Sequence, residues 1–385
     1  MKKLNLLYTA IAVAGLNLSA ATHVHADQDL IETLRDKGYL TDAEVAELTA
    51  KDQANAKVTT KGGFKISSPD GKYTVKVGGR IQYDYNRAEL NGDAQEDQFD
   101  SRRGRLYLHG TLGSNWEYRT QFNIIASSSG TPDHLYIRYT GFEFGDVTIG
   151  RQKNPFGLEW QTSSKDISFL ERSGISEAYM GGFVEGVSLA GGSKDFTYKF
   201  SAHSANVDAS EEDRDEERED FGYGGRLTYA PINQGDSLLH LGLGYRAVEG
   251  GTDVLGFELA AVVGAFHAQA EFFDAETPSN DDADGYYLQL GYVLTGESRP
   301  YKGGYFKRIK PSGKGGAVEL VARYEDGDGD FGDIELGDDN ATSYGVGVNW
   351  YVNNFIRLGL NYNEGESDTS DDDGEEWRAR IQVAF

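Results

Sequence analysis

Trp377-Arg378-Ala379-Arg380-Ile381-Gln382-Val383-Ala384-Phe385 is the last stretch of the chain, and it alternates without a break. Trp377, Ala379, Ile381, Val383 and Phe385 share one parity; Arg378, Arg380 and Gln382 take the other. Successive side chains of a strand point to opposite faces, so this strand is apolar on one side and polar on the other. The split recurs upstream. Val75, Val77, Ile81, Tyr83 and Tyr85 oppose Lys76, Arg80, Gln82 and Asp84; Leu106, Leu108 and Leu112 oppose Arg103, Arg105, Tyr107 and His109. Ile356, Leu358, Leu360 and Tyr362 oppose Arg357 and Asn361. A soluble sandwich also alternates, with its apolar face inwards. Here the polar face carries too many arginines for an ordinary solvent face. Many strands also run to about 10–12 residues, the length a tilted strand needs to cross a bilayer. The reading is an all-β chain folded as a transmembrane antiparallel barrel, apolar outside and polar within.

A terminal strand ending on Phe385 resembles the assembly signal of bacterial outer-membrane proteins. The punctuation predicts strands at 73–88, 99–112, 115–126, 134–144, 146–152, 181–190, 195–204, 221–230, 237–248, 253–262, 265–275, 284–295, 316–325, 341–352, 354–363 and 376–385. That is about sixteen, an even number, as in bacterial single-chain barrels. Short connections (Gly113-Ser114, Gly145, Asn353) alternate with mostly long acidic ones at 89–97, 208–220, 276–282, 326–339 and 364–375. Short periplasmic turns and long external loops mark a barrel. All 7 prolines fall outside the strand interiors, as central strands require. The connection 295–315 departs from this: it is long and basic, yet parity puts it on the periplasmic side, and nothing in the sequence accounts for its length.

Composition excludes other classes. The chain has 37 Lys+Arg against 62 Asp+Glu, a formal charge of -25, which argues against nucleic-acid binding. Mean hydropathy is -0.54 and the only long apolar run is N-terminal, so a helical membrane protein is excluded. With 23 Tyr and 19 Phe, disorder is excluded too. The Cys count is 0, so there is no thiol or disulfide chemistry.

The N-terminus reads as an address. Met1-Lys2-Lys3 is basic, Leu4 to Ala21 is apolar, and Val24-His25-Ala26 fits a cleavage site, so residues 1–26 are expected to be a removable signal peptide. Residues 27–57 read as a helical hairpin expected in the periplasm. Leu30, Ile31 and Leu34 lie on one face, Gly38 stops the first helix, and Thr41 with Glu44 forms a capping box for the second. Residues 58–72 are a linker, and 73–385 the barrel.

The stretch 153–180, between the fifth and sixth strands, is rich in Phe156, Leu158, Trp160, Ile167, Phe169 and Leu170. A long loop with its own apolar content must pack somewhere, and in a barrel of this size the place is the lumen. Its residues carry a likeness. Gly150-Arg151-Gln152-Lys153-Asn154-Pro155-Phe156-Gly157-Leu158-Glu159, Thr162-Ser163-Ser164 and Phe169-Leu170-Glu171-Arg172 resemble the third-loop motif of the phosphate-selective porin O and P family. Thr295-Gly296-Glu297-Ser298-Arg299-Pro300-Tyr301, Ile309-Lys310-Pro311 and Glu319-Leu320-Val321-Ala322-Arg323-Tyr324 resemble a second stretch of it. The resemblance implies a sixteen-stranded outer-membrane barrel, usually a homotrimer, with the third loop folded inwards. It also implies passage of phosphate along inward arginines and a lysine cluster.

Parity alone points the cations Lys76, Arg80, Arg103, Arg105, Arg119, Arg138 and Lys199 inwards, with Arg226, Arg246, Arg323, Arg357, Arg378 and Arg380. Inward acids are fewer: Asp84, Glu117, Glu258, Glu271, Glu319 and Glu325. Rings of Arg and Lys in a narrow lumen select anions. The loop cations Lys153, Lys165 and Arg172 are expected at the constriction. The alternative is that the arginines pair with carboxylates and brace the barrel, leaving a general or weakly cation-preferring porin. The acidic external connections, with Glu211-Glu212-Asp213-Arg214-Asp215-Glu216-Glu217 the extreme, favour that alternative. A barrel enzyme or adhesin is the remaining class; His203 is its best catalytic candidate. Asp326, Asp328 and Asp330 begin like a calcium loop, but Phe331 stands where that turn needs Gly, and the histidines lack metal-ligand spacing. No metal and no cofactor are expected. Outer-membrane lipid, lipopolysaccharide and small anionic solutes are the expected partners.

Overall fold

The computed structural model describes residues 28–53, 55–60, 63–125, 132–204, 221–276, 282–328, 341–367 and 372–385. The expected leader 1–26 and the run 211–217 lie outside the described residues, as do positions 329–339 of the expected connection 326–339.

The N-terminal unit holds α1 (Gln28–Asp36) and α2 (Asp42–Gln53). Gly38 takes φ 75, and the Tyr39 amide donates back to the Leu34 carbonyl at 2.9 Å, ending α1. The Thr41 amide donates to Glu44 Oε2 at 2.8 Å and the Glu44 amide to Thr41 Oγ at 3.3 Å, the reciprocal cap that starts α2. Those bonds from Thr41 hold the Glu44 carboxyl below its usual value. Lys57–Thr59 and Phe64–Ser67 are short extended pieces.

The barrel strands are β1 (Thr74–Leu90), β2 (Asp93–Leu112), β3 (Trp116–Asn123), β4 (His134–Phe142), β5 (Gly145–Lys153) and β6 (Phe183–Gly192). Then come β7 (Phe196–Ser204), β8 (Phe221–Gln234), β9 (Ser237–Val248), β10 (Asp253–Val263), β11 (Phe266–Glu276) and β12 (Asp282–Val293). β13 (Ala317–Asp328), β14 (Ala341–Tyr351), β15 (Ile356–Ser367) and β16 (Asp372–Ala384) complete the set. Each pairs antiparallel with the next, and β16 returns to β1 from Gly374↔Leu90 to Ala384↔Arg80, closing a 16-strand barrel. Closure removes the open edges that a sheet in a membrane cannot carry. The apolar parity faces out: Ile81, Leu106, Leu288, Ile381 and Trp377 are exposed, while Gln82, Asp84, Gln289 and Gln382 are buried.

The acidic connections are shorter than the sequence reading has them. Residues 89–97 are not a loop: β1 and β2 continue past them and turn at Asn91 (φ 52) and Gly92 (φ 78). Asn-Gly suits a tight hairpin because both central positions need positive φ. The carboxylates of Glu89, Asp93, Glu96 and Asp97 therefore ride on strands. β15 and β16 likewise run to Ser367 and from Asp372, into the expected loop 364–375.

At the seam the Phe385 amide donates to the Gly79 carbonyl at 3.1 Å, and the Gly79 amide to the Phe385 carbonyl at 3.0 Å. A Cβ on Gly79 would stand 3.0 Å from the Phe385 ring, so glycine makes room for it. Deleting Phe385 removes that ring and the terminal pair of ladder bonds. Unassembled chain is expected to accumulate in the periplasm, read as loss of the heat-modifiable band; wild-type insertion of the truncated chain would contradict this.

Candidate functional site

The segment between β5 and β6 contains α3 (Leu158–Gln161) and α4 (Gly174–Tyr179). Its apolar side chains are out of water: Phe156 and Leu158 are 0% exposed, and Ile167, Phe169 and Leu170 are 1% exposed. They seat in notches cut by inward glycines. An added Cβ would stand 2.8 Å from the Phe156 ring at Gly256 and 2.9 Å from it at Gly244. It would stand 2.9 Å from Phe169 at Gly345, 2.6 Å from Leu170 at Gly359 and 2.9 Å from Ile175 at Gly285. These glycines belong to β9, β10, β12, β14 and β15. Replacing Gly256 by leucine overpacks this seat, at about 1–3 kcal/mol. We expect G256L to displace Phe156 and raise single-channel conductance; unchanged conductance would mean the barrel wall yields instead.

Polar side chains of β11, β13 and β15 hold the segment by hydrogen bonds. Glu271 on β11 accepts from the amides of Leu158 (2.6 Å) and Glu159 (2.9 Å), the first turn of α3. Gly157 precedes that turn with φ 66, and a Cβ there would press on Glu271 Oε1 at 3.1 Å, so the motif needs glycine. Glu319 accepts from Ser168 Oγ (2.7 Å), Asn361 Oδ1 from the Leu170 amide (2.7 Å), and Arg357 donates to the Ile167 carbonyl (2.6 Å) and the Ser168 carbonyl (2.5 Å).

Glu171 is the most heavily gripped group. Arg102 (3.0 Å), Arg103 (2.6 Å), Arg378 (3.3 Å) and Arg380 (2.5 Å) all converge on it. The neighbours Arg102 and Arg103 can both reach because the register of β1 and β2 shifts between Gln82 and Asp84, a bulge that turns consecutive side chains to one side.

Between this segment and the wall of β1 to β8 lies a cavity of about 1110 Å³. Of the inward cations expected from parity, Arg80, Arg105, Arg119, Arg138, Lys199 and Arg226 line it. So do Lys153, Lys165 and Arg172 from the segment. The lining carboxylates are Asp146 and Asp166. Several of these cations meet neutral acceptors. Arg80 donates to Ser163 Oγ (3.1 Å), Arg119 to Gln121 (2.7 Å), Lys199 to the Lys153 carbonyl (3.3 Å), and Lys153 to the carbonyls of Trp160 and Thr162. Others are ion-paired: Arg105 with Asp133 (2.7 Å), Arg226 with Glu258 (2.6 Å), Arg172 with Glu177 (2.9 Å) and Arg138 with Glu117 (3.5 Å).

The remaining predicted lumen arginines are engaged with the segment or its anchors. Arg103, Arg378 and Arg380 hold Glu171, and Arg380 also makes a bidentate pair with Asp84 (2.6 and 2.5 Å). Arg246 donates to the Tyr179 carbonyl (2.7 Å), Arg323 pairs with Glu325 (2.5 Å) and donates to the Glu171 carbonyl (3.1 Å), and Arg357 holds Ile167 and Ser168. Parity told which way they point, not what stands across the lumen.

A second insertion was missed. Phe306 is 0%, Ile309 1% and Arg299 3% exposed, all in the basic connection between β12 and β13. Arg299 donates to Gln269 (2.8 Å), the Gly304 carbonyl accepts from Arg226 (2.8 Å), and Tyr301 Oη bonds His240 Nδ1 (2.7 Å). Phe306 and Leu158 share one apolar cluster, so the two insertions meet inside the barrel. Lys302 and Lys307 add their charges to the cavity. Burial opposes it, but bonds from Thr295 and Ser312 hold Glu297 at about 2, a charged clasp at the base of this connection. The signal was available: Tyr301, Tyr305, Phe306 and Ile309 give this connection the apolar content that marked 153–180.

The model of the phosphate-selective porin O and P family matches residues 75–249 and 243–385. The chain belongs to this family. The porin is 30% identical over 414 residues to Porin O of Pseudomonas aeruginosa, covering 87% of this chain and 93% of that one. Among solved structures it is similar to the anion-selective porin from Comamonas acidovorans, with TM-score 0.55 at 16% identity, covering 81% of this chain and 100% of that one. The trimer form of OmpT from Vibrio cholerae matches with TM-score 0.55 at 13% identity, covering 81% and 99%. At those identities the likeness shows the fold. The porin is an outer-membrane channel and not an enzyme; His203, the catalytic candidate, is buried with its Nδ1 3.3 Å from Ser201 Oγ.

Proposed function

We propose that this porin passes small anions by passive diffusion, with phosphate the foremost solute, and that Lys153, Lys165 and Arg172 form its constriction. The observation that carries this is the charge inventory of the cavity. Arg80, Arg119, Lys153 and Lys199 meet neutral acceptors there, and Asp146 and Asp166 are the lining carboxylates. A permeating anion in a confined space feels such cations with little screening. The phosphate selectivity for which the family is named and the anion selectivity of the Comamonas porin point the same way. Residues 1–26 serve export, 27–57 stay in the periplasm, the barrel meets lipid and lipopolysaccharide, and three copies associate, as the trimeric OmpT relative supports. Adding inorganic phosphate to channels conducting chloride in a planar bilayer tests the solute. Chloride current is expected to fall saturably as phosphate occupies the cavity. A current that phosphate leaves unchanged would remove phosphate from the reading and leave a general porin.

A further inference from the structure

The lumen cations divide by what solvates them. Around the packed segment carboxylates predominate: Arg380 on Asp84, Arg103 on Glu171, and Arg323 on Glu325, although Arg323 also lies 4.2 Å over the Phe169 ring. In the cavity Arg105 and Arg226 pair with Asp133 and Glu258, but for five other cations the shared partner is an aromatic ring. Lys153 Nζ lies 4.5 Å from the Trp160 ring centre and the Arg172 guanidinium 4.8 Å from the same ring. Arg119 lies over Tyr107 at 5.0 Å, Arg138 over Tyr136 at 5.2 Å and Lys307 over Tyr305 at 3.8 Å.

The two kinds of partner do different things to a passing ion. A carboxylate within 3 Å cancels a cation's field at longer range. A ring face or a carbonyl attracts the same cation through a quadrupole or a dipole, which carries no net charge. It lowers the cost of desolvating the cation and leaves the charge to act on the permeant. Trp160 is the extreme case. It is 4% exposed, and its indole is fixed edge-on against Phe183 (5.3 Å, 73°). Two cations share its ring, and both also donate to the Thr162 carbonyl. Arg172 keeps one ion pair, with the half-exposed Glu177; Lys153 has none among the described residues.

We propose that Trp160 is a positioning residue for anion selectivity, holding Lys153 desolvated and uncancelled at the cavity wall with Arg172 beside it on the same ring. The proposal rests on the anion-channel reading above. Packing alone would be served by any large apolar side chain, whereas this role needs a π face.

The test compares wild type, Trp160→Phe and Trp160→Leu as reconstituted channels, reading zero-current potential in a potassium chloride gradient. Single-channel conductance and a heat-modifiable band check that each barrel has assembled. Trp160→Leu is expected to lower the chloride-over-potassium permeability ratio about threefold or more, while Trp160→Phe stays near wild type. Tyr107→Leu, which strips the ring from under Arg119 on a strand away from the segment, should lower the ratio in the same direction. It decides the question alone if Trp160→Leu does not assemble. A wild-type ratio in both leucine variants overturns the proposal, as does an equal loss in Trp160→Phe and Trp160→Leu. Wild type measured alongside separates the two readings: potassium preference there overturns the channel assignment, whereas chloride preference that the variants leave unchanged overturns only the role of the rings.

Discussion

Glu171→Gln is expected to loosen the packed segment and to raise anion selectivity at once. Four guanidiniums, of Arg102, Arg103, Arg378 and Arg380, hold that one carboxylate. The Glu171 carboxyl sits well below its usual range; burial opposes this, and the bond from Arg103 leads the groups that outweigh it. With glutamine the four arginines lose their shared counter-charge, and Asp84 and Glu376 are left to balance them. Removing one partner of a buried ion pair costs about 3 kcal/mol or more, because the other charge is stranded. The guanidiniums should repel one another, and the segment should lose its hold near Leu170, whose carbonyl Arg380 also engages. The barrel's heat-modification midpoint should fall, open-channel noise should rise, and the chloride-over-potassium ratio should increase. A wild-type midpoint and ratio would show that solvent already neutralises the cluster.

Lys153→Glu combined with Lys165→Glu is expected to lower or reverse the preference for chloride. The double change swings the local charge by four units inside a cavity whose wall also carries Arg80, Arg119 and Lys199. A charge close to the ion path in a poorly screened space outweighs more distant ones. The acids between 211 and 220 belong to a connection expected to be external, and salt screens such charges beyond about 8 Å at physiological ionic strength. Neutralising them should raise anion flux modestly, and mainly in dilute salt. Zero-current potentials of the double variant in a salt gradient check this. An unchanged sign and size would place the selectivity elsewhere on the wall.

The barrel was legible because a period of two is a strong signal when both faces are chemically distinct, as in Ile81, Tyr83 and Tyr85 against Arg80, Gln82 and Asp84. Hairpin ends were less so. The acidic composition of 89–97 reads as a loop, while the decisive signal was the Asn91-Gly92 pair, whose positive φ values let both strands run on to a tight turn. The glycine notches were not legible at all. Gly244, Gly256, Gly345 and Gly359 matter only because Phe156, Phe169 and Leu170 come to stand opposite them. That juxtaposition joins positions far apart in sequence. The same limit applied to the cations. Parity pointed Arg103 and Arg80 to one face alike, but only the fold sets Arg103 on Glu171 and Arg80 on the Ser163 hydroxyl. The second insertion is less legible for a different reason: Lys302, Lys307, Arg308 and Lys310 give it the charge of a solvated connection, while Phe306 and Ile309 are buried.

In the proposed anion channel, uncancelled lumen cations outweigh an overall charge of -25. The direct measurement is the zero-current potential of the wild-type channel in a steep potassium chloride gradient at high salt, where screening falls to about 3 Å near 1 M and the external acids drop out. The sign is expected to be that of chloride passing faster than potassium. A sign favouring potassium would mean that carboxylates neutralise the lumen, and would put a general or cation-preferring porin in place of the anion channel.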